Sequence, residues 1–282
     1  MPIDLAIIGK ELAPLDYDYT TRDVMLYALG IGAGYEADEL KFVYENGLEA
    51  MPTFGVIPPF PALMGLVMVE GVDINLVMLV HGEQYLEIRK PIPTGGKLTS
   101  KPKIAAVWDK TKGAIIELDV DTVDESGEVV FFNKFSSYIR GEGGFDGERG
   151  PDPGNEPPDR DPDKVVESTT LPIQAMIYRL SGDYNPLHID PNFSVMAGFD
   201  RPILHGLCTF GHAGRAVLSE YCGNDPAKFK AIKVRFSRPV FPGDTIITEM
   251  WKESDDKIII RASTKERPGE YCLTNSAVWL NV

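Results

Sequence analysis

The sequence predicts an α+β protein made of two tandem copies of one unit, a helix packed on an antiparallel β meander. Three observations predict it. Segments 98–109, 114–123 and 128–140 read as strands separated by the turns Asp109–Gly113 and Asp124–Gly127, and segments 230–238, 245–252, 257–265 and 271–281 read as a second meander. Two stretches align between the halves: Lys90-Pro91-Ile92-Pro93-Thr94-Gly95 with Arg238-Pro239-Val240-Phe241-Pro242-Gly243, and Met25–Gly30 with Met176–Ser181. Such a repeat is too long for a solenoid and marks a duplication. Between the copies, residues 141–163 are dominated by Gly, Pro and acids, a composition that makes an extended linker. The expected organisation is therefore 1–140, a linker at 141–163, and 164–282.

In chain order, Thr20 or Thr21 ahead of Asp23 starts a helix that Gly30 stops. Pro52, Pro58, Pro59 and Pro61 forbid a regular element before about residue 61, and the apolar run 62–69 predicts a helix after it. From His81 onward the texture is β. In the second copy, Thr169-Thr170 precede a helix through Ile177, and another helix covers 206–221.

Composition narrows the function. The 282 residues are 43% hydrophobic and 25% charged, an ordinary globular balance, and a chain of this length buries a sizeable core. A formal charge of −14 argues against a nucleic-acid partner or an anionic membrane, which would want a basic face. It leaves room for an anionic ligand held by a few local cations. Three cysteines, Cys208, Cys222 and Cys272, make no disulfide framework and suggest a reducing, intracellular setting. No signal-peptide pattern opens the chain, and the apolar runs are too short to span a bilayer.

The stretch Tyr178–Gly214 carries the chemistry. It holds three of the four histidines, His188, His205 and His212, and it crowds Asp183, Asn185 and His188 around Pro186. A turn presenting an acid, an amide and an imidazole together is equipment for proton transfer. Taken alone, Asp183 also reads as a helix cap and His188 as a hydrogen-bonded core histidine. The duplication bears on that choice. Continuing the alignment sets Gly32 opposite Asp183 and Ala37 opposite His188, so the first copy keeps the scaffold without either group. Cys208 reads as a buried inert thiol rather than a nucleophile.

Residues Leu180–Pro191 with Pro202–Gly206 resemble the motif of the R-specific 2-enoyl-CoA hydratases, the hydratase-2 group of the MaoC-like dehydratases. His81–Glu87, Lys90–Pro93 and Lys230–Phe236 also fit, so the likeness runs over nearly the whole chain. The resemblance implies a double hot-dog fold, each half a central helix wrapped by an antiparallel sheet. It implies reversible hydration of trans-2-enoyl-CoA to (3R)-3-hydroxyacyl-CoA in fatty-acid β-oxidation, on medium- and long-chain substrates. It makes Asp183 and His188 catalytic, with Asn185 beside them and the Gly206 amide stabilising enolate charge. It places His81, Gly82, Lys110, the run Asp183, Tyr184, Asn185, Pro186, Leu187 and His188, Gly206 and Phe236 against the CoA ester. Lys110 reads equally as a solvated turn lysine. No metal and no cofactor are implied, coenzyme A being part of the substrate. A homodimer is implied, and a peroxisomal setting, although Leu280-Asn281-Val282 is not a Ser-Lys-Leu-type address.

Three other readings compete. Asp183, His188, Asp190, His205 and His212 are capable metal ligands, but their spacing matches no closed zinc pattern. A hot-dog acyl-CoA thioesterase would cleave the ester, and a non-catalytic acyl-CoA binding protein would only hold it. In the first copy, Met51, Phe54, Phe60, Leu63, Met64, Leu66, Met68, Leu76, Met78 and Leu79 predict either an acyl-chain tunnel or ordinary core.

Overall fold

The structure, a computed structural model, describes residues 3–72, 74 and 78–282. Ten antiparallel strands form one sheet: β1 Leu15–Tyr19, β2 Leu79–Ile88, β3 Gly96–Asp109, β4 Gly113–Val123, β5 Val129–Arg140, β6 Lys164–Thr169, β7 Phe229–Phe236, β8 Thr245–Ser254, β9 Lys257–Thr264 and β10 Arg267–Leu280. Their order, β1-β3-β4-β5-β2-β7-β10-β9-β8-β6, makes the duplication visible. Strands 1, 3, 4, 5, 2 of the first half face strands 7, 10, 9, 8, 6 of the second, the same order reversed. The halves join where β2 pairs with β7, from Glu83 opposite Arg235 to Glu87 opposite Ala231. Pairing there satisfies two strand edges that would otherwise stand open. Only the short strands β1 and β6 remain at the outer ends.

The strands fall where the alternation predicts, within a few residues at the ends, but the second meander is β8-β9-β10 alone: β7 pairs with β10 and β2 rather than with β8. The edge strands β1 and β6 add to that reading: within its own half each skips the following strand, β1 pairing with β3 and β6 with β8.

The helices distinguish the halves. Helix α1, Thr21–Gly30, starts where the Asp23 carboxylate accepts hydrogen bonds from the Thr20 N–H and hydroxyl, both at 2.8 Å. Its last carbonyl, that of Gly30, accepts the Gln174 amide of the other half at 2.6 Å. After Pro61, the expected apolar helix lasts five residues, α2 Pro61–Gly65, before the chain tightens into a 3-10 turn at Leu66–Met68. A second 3-10 turn at Pro52–Val56 precedes it. Four prolines in ten residues remove the amides that a continuous helix needs. The second half has α3 Gln174–Tyr178, α4 Pro191–Met196 and α5 Gly206–Cys222. Helix α5 runs 17 residues, is buried along most of its length, and stops at Gly223 in the left-handed region.

One apolar core spans both halves, with α1, the Met51–Ile57 segment and α5 packed into it. Gly211 lets the halves close on each other, since a Cβ there would stand 2.3 Å from Ile31 Cγ2. A second core belongs to the first half alone: Ala62, Leu63 and Leu66 lie against Ile104, Ile116, Leu118 and Phe135 of its sheet.

Residues 141–163 are extended, and they are fastened along their length. The Asp109 carboxylate accepts the amides of Gly144 and Phe145 at 2.9 and 2.8 Å. Lys233 then donates to the Pro153 carbonyl, Asn275 to that of Gly154, and the Trp251 indole to that of Arg160. The segment is thus a strap tied in turn to β3, β7, β10 and β8. Among the described residues no helix is long and apolar enough to cross a membrane.

Candidate active site

Local sequence builds the site from two turns and one helix start. Helix α3 tightens through Arg179–Ser181 and ends at Gly182, whose φ of 125° is closed to other residues. That turn delivers Asp183. Its carboxylate accepts the Asn185 N–H at 3.1 Å. The Asn185 side-chain oxygen accepts the Leu187 N–H at 3.0 Å and caps a 3-10 turn, Pro186–His188, which carries His188 inward. Asn185 therefore holds Asp183 through its backbone amide, while its side-chain oxygen shapes the turn.

His188 is buried, and its Nδ1–H donates to the Ile203 carbonyl at 2.9 Å. A carbonyl can only accept, so Nδ1 carries the proton and Nε2 is free to exchange one. Asp183, His188 and His205 bring one ligand-type atom each to within 4.8 Å of one another. Burial raises the Asp183 pKa, and the nearby His188 and Arg179 charges pull it back. Burial lowers the His188 pKa, and Asp183 opposes that. The two environments push an acid and a base toward each other, so one proton is readily shared between them.

Gly206 opens α5, one residue after His205. Among the described residues its N–H meets no acceptor, nor does that of Leu207, as expected of a first helical turn. A Cβ at Gly206 would press on the Phe236 ring at 3.2 Å, and that ring lies 4.9 Å from the His81 ring. His81 and Phe236 thus flank the helix start from the seam between β2 and β7. Burial holds His81 down to about 4, and its buried Nε2 finds no partner among the described residues. Gly82 forms the bulge between His81 and Glu83, where a Cβ would meet the Ser136 carbonyl at 3.2 Å. Tyr184 is exposed, with the Arg179 guanidinium 5.1 Å from its ring centre.

The remaining expectations separate. Lys110 follows β3, and β4 and β5 lie between that strand and β2. Its ammonium donates to the Arg149 carbonyl of the strap. Asp190 caps α4 through the Asn192 amide, and His212 meets the Ser168 hydroxyl at 2.9 Å. Of five ligand candidates, three converge. His188 and His205 are stacked with ring centres 3.8 Å apart. Stacked rings point their in-plane lone pairs side by side, whereas two imidazoles on one ion aim them at a point about 2 Å away. Cys208 is buried, with its thiol pushed well up and donating to the Gly30 carbonyl, as an inert thiol should.

Arg179 escaped the sequence reading, and His205 entered it only as a candidate metal ligand. Their signal was present, since one precedes the dyad and the other precedes Gly206 in the same string.

The first-half apolar set divides. Met51 and Phe54 are buried in the shared core, Leu63 and Leu66 in the first-half core, and Phe60 packs against both. Met64, Met68 and Met78 are exposed, and Leu79 is partly so. Leu76 lies outside the described residues.

Comparison with known proteins finds relatives over nearly the whole chain. Residues 17–141 match the MFE-2 hydratase 2 N-terminal domain, and residues 154–271 match the MaoC like domain. A probable enoyl-CoA hydratase 2 of Dictyostelium discoideum is 45% identical over 284 residues, covering 98% of this chain and 96% of that protein. The peroxisomal multifunctional enzyme type 2 of Mus musculus is 44% identical across 96% of this chain, which spans only 38% of that longer protein. A crystal structure of a MaoC-like dehydratase from Phytophthora capsici superposes with a TM-score of 0.89 at 38% identity, covering 99% of this chain and 98% of that one. The fold, the paired Asp183 and His188 and these relatives agree: the chain belongs to the enoyl-CoA hydratase 2 family of MaoC-like dehydratases.

Proposed function

We propose that the protein is a hydro-lyase that reversibly hydrates trans-2-enoyl-CoA to (3R)-3-hydroxyacyl-CoA. The observation that carries this is the buried Asp183–His188 pair beside the unpartnered Gly206 amide at the start of α5. A water held between the carboxylate and His188 Nε2 gives a proton to the pair as its oxygen bonds C3. The pair returns one proton to C2, so the addition consumes one water and leaves the pair as it began. As the C2–C3 double bond is lost, charge moves to the thioester oxygen. The Gly206 N–H and the positive end of α5 stabilise that charge. A glycine at this position lets the thioester approach the backbone closely.

Coenzyme A enters as part of the substrate, and the chemistry needs no further cofactor. His81, Gly82 and Phe236 line the approach from the β2–β7 seam. Asn185 orients Asp183, and Tyr184, Pro186 and Leu187 form the turn over the ester. Lys110 takes part only if the nucleotide end reaches across the sheet. In this reading the first copy, 1–140, binds the acyl chain, the strap at 141–163 joins the halves, and the second copy, 164–282, does the chemistry. The broken α2 region supports that division, since among the described residues no long helix fills the first half as α5 fills the second. Medium- and long-chain substrates, β-oxidation, a peroxisomal setting and a homodimer belong to the same proposal. The peroxisomal relative supports the setting.

One assay tests the reaction. Crotonyl-CoA and trans-2-decenoyl-CoA should each lose the conjugated-enoyl absorbance, with (3R)-hydroxyacyl-CoA by chiral analysis and no free thiol. Thiol release would make the protein a thioesterase, and binding without turnover a carrier. A strong chelator should leave the rate unchanged.

A further inference from the structure

His205 is fully buried at the junction of every element that the reaction uses. Its backbone is the cap of α5, and its carbonyl accepts the amides of Cys208 and Thr209 at 3.1 and 3.2 Å. Its ring reaches back across the site. The Nε2–H donates to the backbone carbonyl of Asp183 at 3.1 Å, and the ring face stacks on His188 with centres 3.8 Å apart. Tyr178 flanks the ring at 5.0 Å between centres. Since the Asp183 carbonyl only accepts, Nε2 must hold the proton. The other nitrogen, Nδ1, is buried and finds no partner among the described residues. An imidazole that leaves one buried nitrogen bare forgoes a hydrogen bond. A Leu or Phe would fill the same space without that cost, so packing alone does not account for a histidine.

We infer that His205 is the positioning residue that fixes Asp183 and His188 in register with the Gly206 amide. One side chain sets three separations: Asp183 by a hydrogen bond to its main chain, His188 by backing its ring, and Gly206 by being its neighbour in the chain. Its action passes through the dyad, and it presupposes the hydratase reading above.

Two substitutions separate its contacts. His205→Phe keeps the stack and removes the donor; His205→Gln keeps a donor near the Nε2 position and removes the stack. A misplaced dyad loses rate rather than binding, and displacements near 1 Å cost about 100-fold. His205→Phe should therefore lower kcat by roughly 30- to 100-fold with KM within about threefold. His205→Gln should recover to within about tenfold of the parent. In an Asp183→Asn background, His205→Phe should cost less than about threefold more, because the group it positions is already disabled. Parent-level kcat in His205→Phe, a loss confined to KM, or a full additive loss in the double variant would each overturn the inference. If either variant fails to fold, nitrogen-15 spectra of the parent enzyme decide. His205 protonated on Nε2 and bare on Nδ1 supports it, and the opposite tautomer sinks it. No hydration by the parent enzyme would instead defeat the underlying reading, so the two failures are distinguishable.

Discussion

The two halves share a strand order and differ in nearly everything else that matters. At the positions aligned with the dyad, the second half has Asp183 and His188, and the first has Gly32 and Ala37. Gly32 is no vestige. Its φ is 75°, and a Cβ there would stand 2.8 Å from His212 Cε1 on α5. Ala37 is exposed at the start of a 3-10 turn. The first half supplies packing and charge to the second. Glu39, buried, takes the Arg215 guanidinium of α5, and its carboxylate also accepts the Gly34 N–H. One copy of the duplicated scaffold thus lacks the acid–imidazole pair and packs against the copy that has it.

The sharpest test of that division is catalytic. Asp183→Asn and His188→Gln should each lower kcat by about 100- to 10,000-fold with folding intact. The double variant should fall little below the worse single one, because the pair shares one task. Ala37→His, on the aligned position of the first half, should leave turnover at the parent rate. Steady-state kinetics on crotonyl-CoA decides all of these, and a sound rate in either dyad variant would dissolve the contrast.

The supporting role has its own measurement. Burial pushes the Glu39 pKa up, but Arg215 and the Gly34 amide outweigh it, and the net pKa is lowered. Glu39→Gln strands a buried guanidinium and should cost about 3–5 kcal/mol, read by denaturant unfolding. A cost below about 1 kcal/mol would show that the halves do not depend on this link.

Acid should attack the second half first, because it holds three of the four histidines. Burial lowers all four, His81 to about 4 and His212 to about 3. The folded state therefore binds fewer protons than the unfolded chain below the ordinary value of 6.5. Stability from these groups is present above that pH and lost as pH falls. Each fully buried neutral histidine contributes up to about 1.4 kcal/mol per pH unit to that slope. Asp183, raised, has the opposite sign: its contribution is present in acid and lost as pH rises through its folded value. Tm should drop between pH 6.5 and 5, and His212→Asn should flatten the drop. An unchanged slope in that variant would locate acid sensitivity elsewhere.

The smallest expected effect concerns the acyl chain. Each buried methylene is worth about 0.8 kcal/mol, so KM should fall from four- to ten-carbon substrates. Phe60 bridges the two cores, whereas Met64 is 53% exposed, which makes Phe60→Trp the informative change. It should impair decenoyl-CoA turnover by roughly tenfold, about two methylenes' worth, and spare crotonyl-CoA. Equal damage to both would make this region plain core.

Part of the molecule was legible because its information is local. The meanders announce themselves by alternation and turn residues. The dyad lies within six consecutive positions, where Asn185 and Pro186 shape the turn without outside help. The edge strand β1 had a readable signal, Leu15, Tyr17 and Tyr19 alternating with Asp16 and Asp18. Strand β6 had almost none, being an edge with no fully buried residue.

What the tertiary structure decided involves partners far apart in the chain. Nothing near Glu39 predicts Arg215, 176 residues on, and nothing near Gly30 predicts that Gln174 will cap it. The stacking of His205 on His188, the hold of Lys110 on the Arg149 carbonyl and the fastening of the strap are of the same kind. The sequence by itself determined the residue types, the strand periods and the catalytic turn, since hydrogen bonds a few residues long and the pleat fix them. Which distant groups meet was decided only when the two sheets joined at β2 and β7 and the shared core closed on α5.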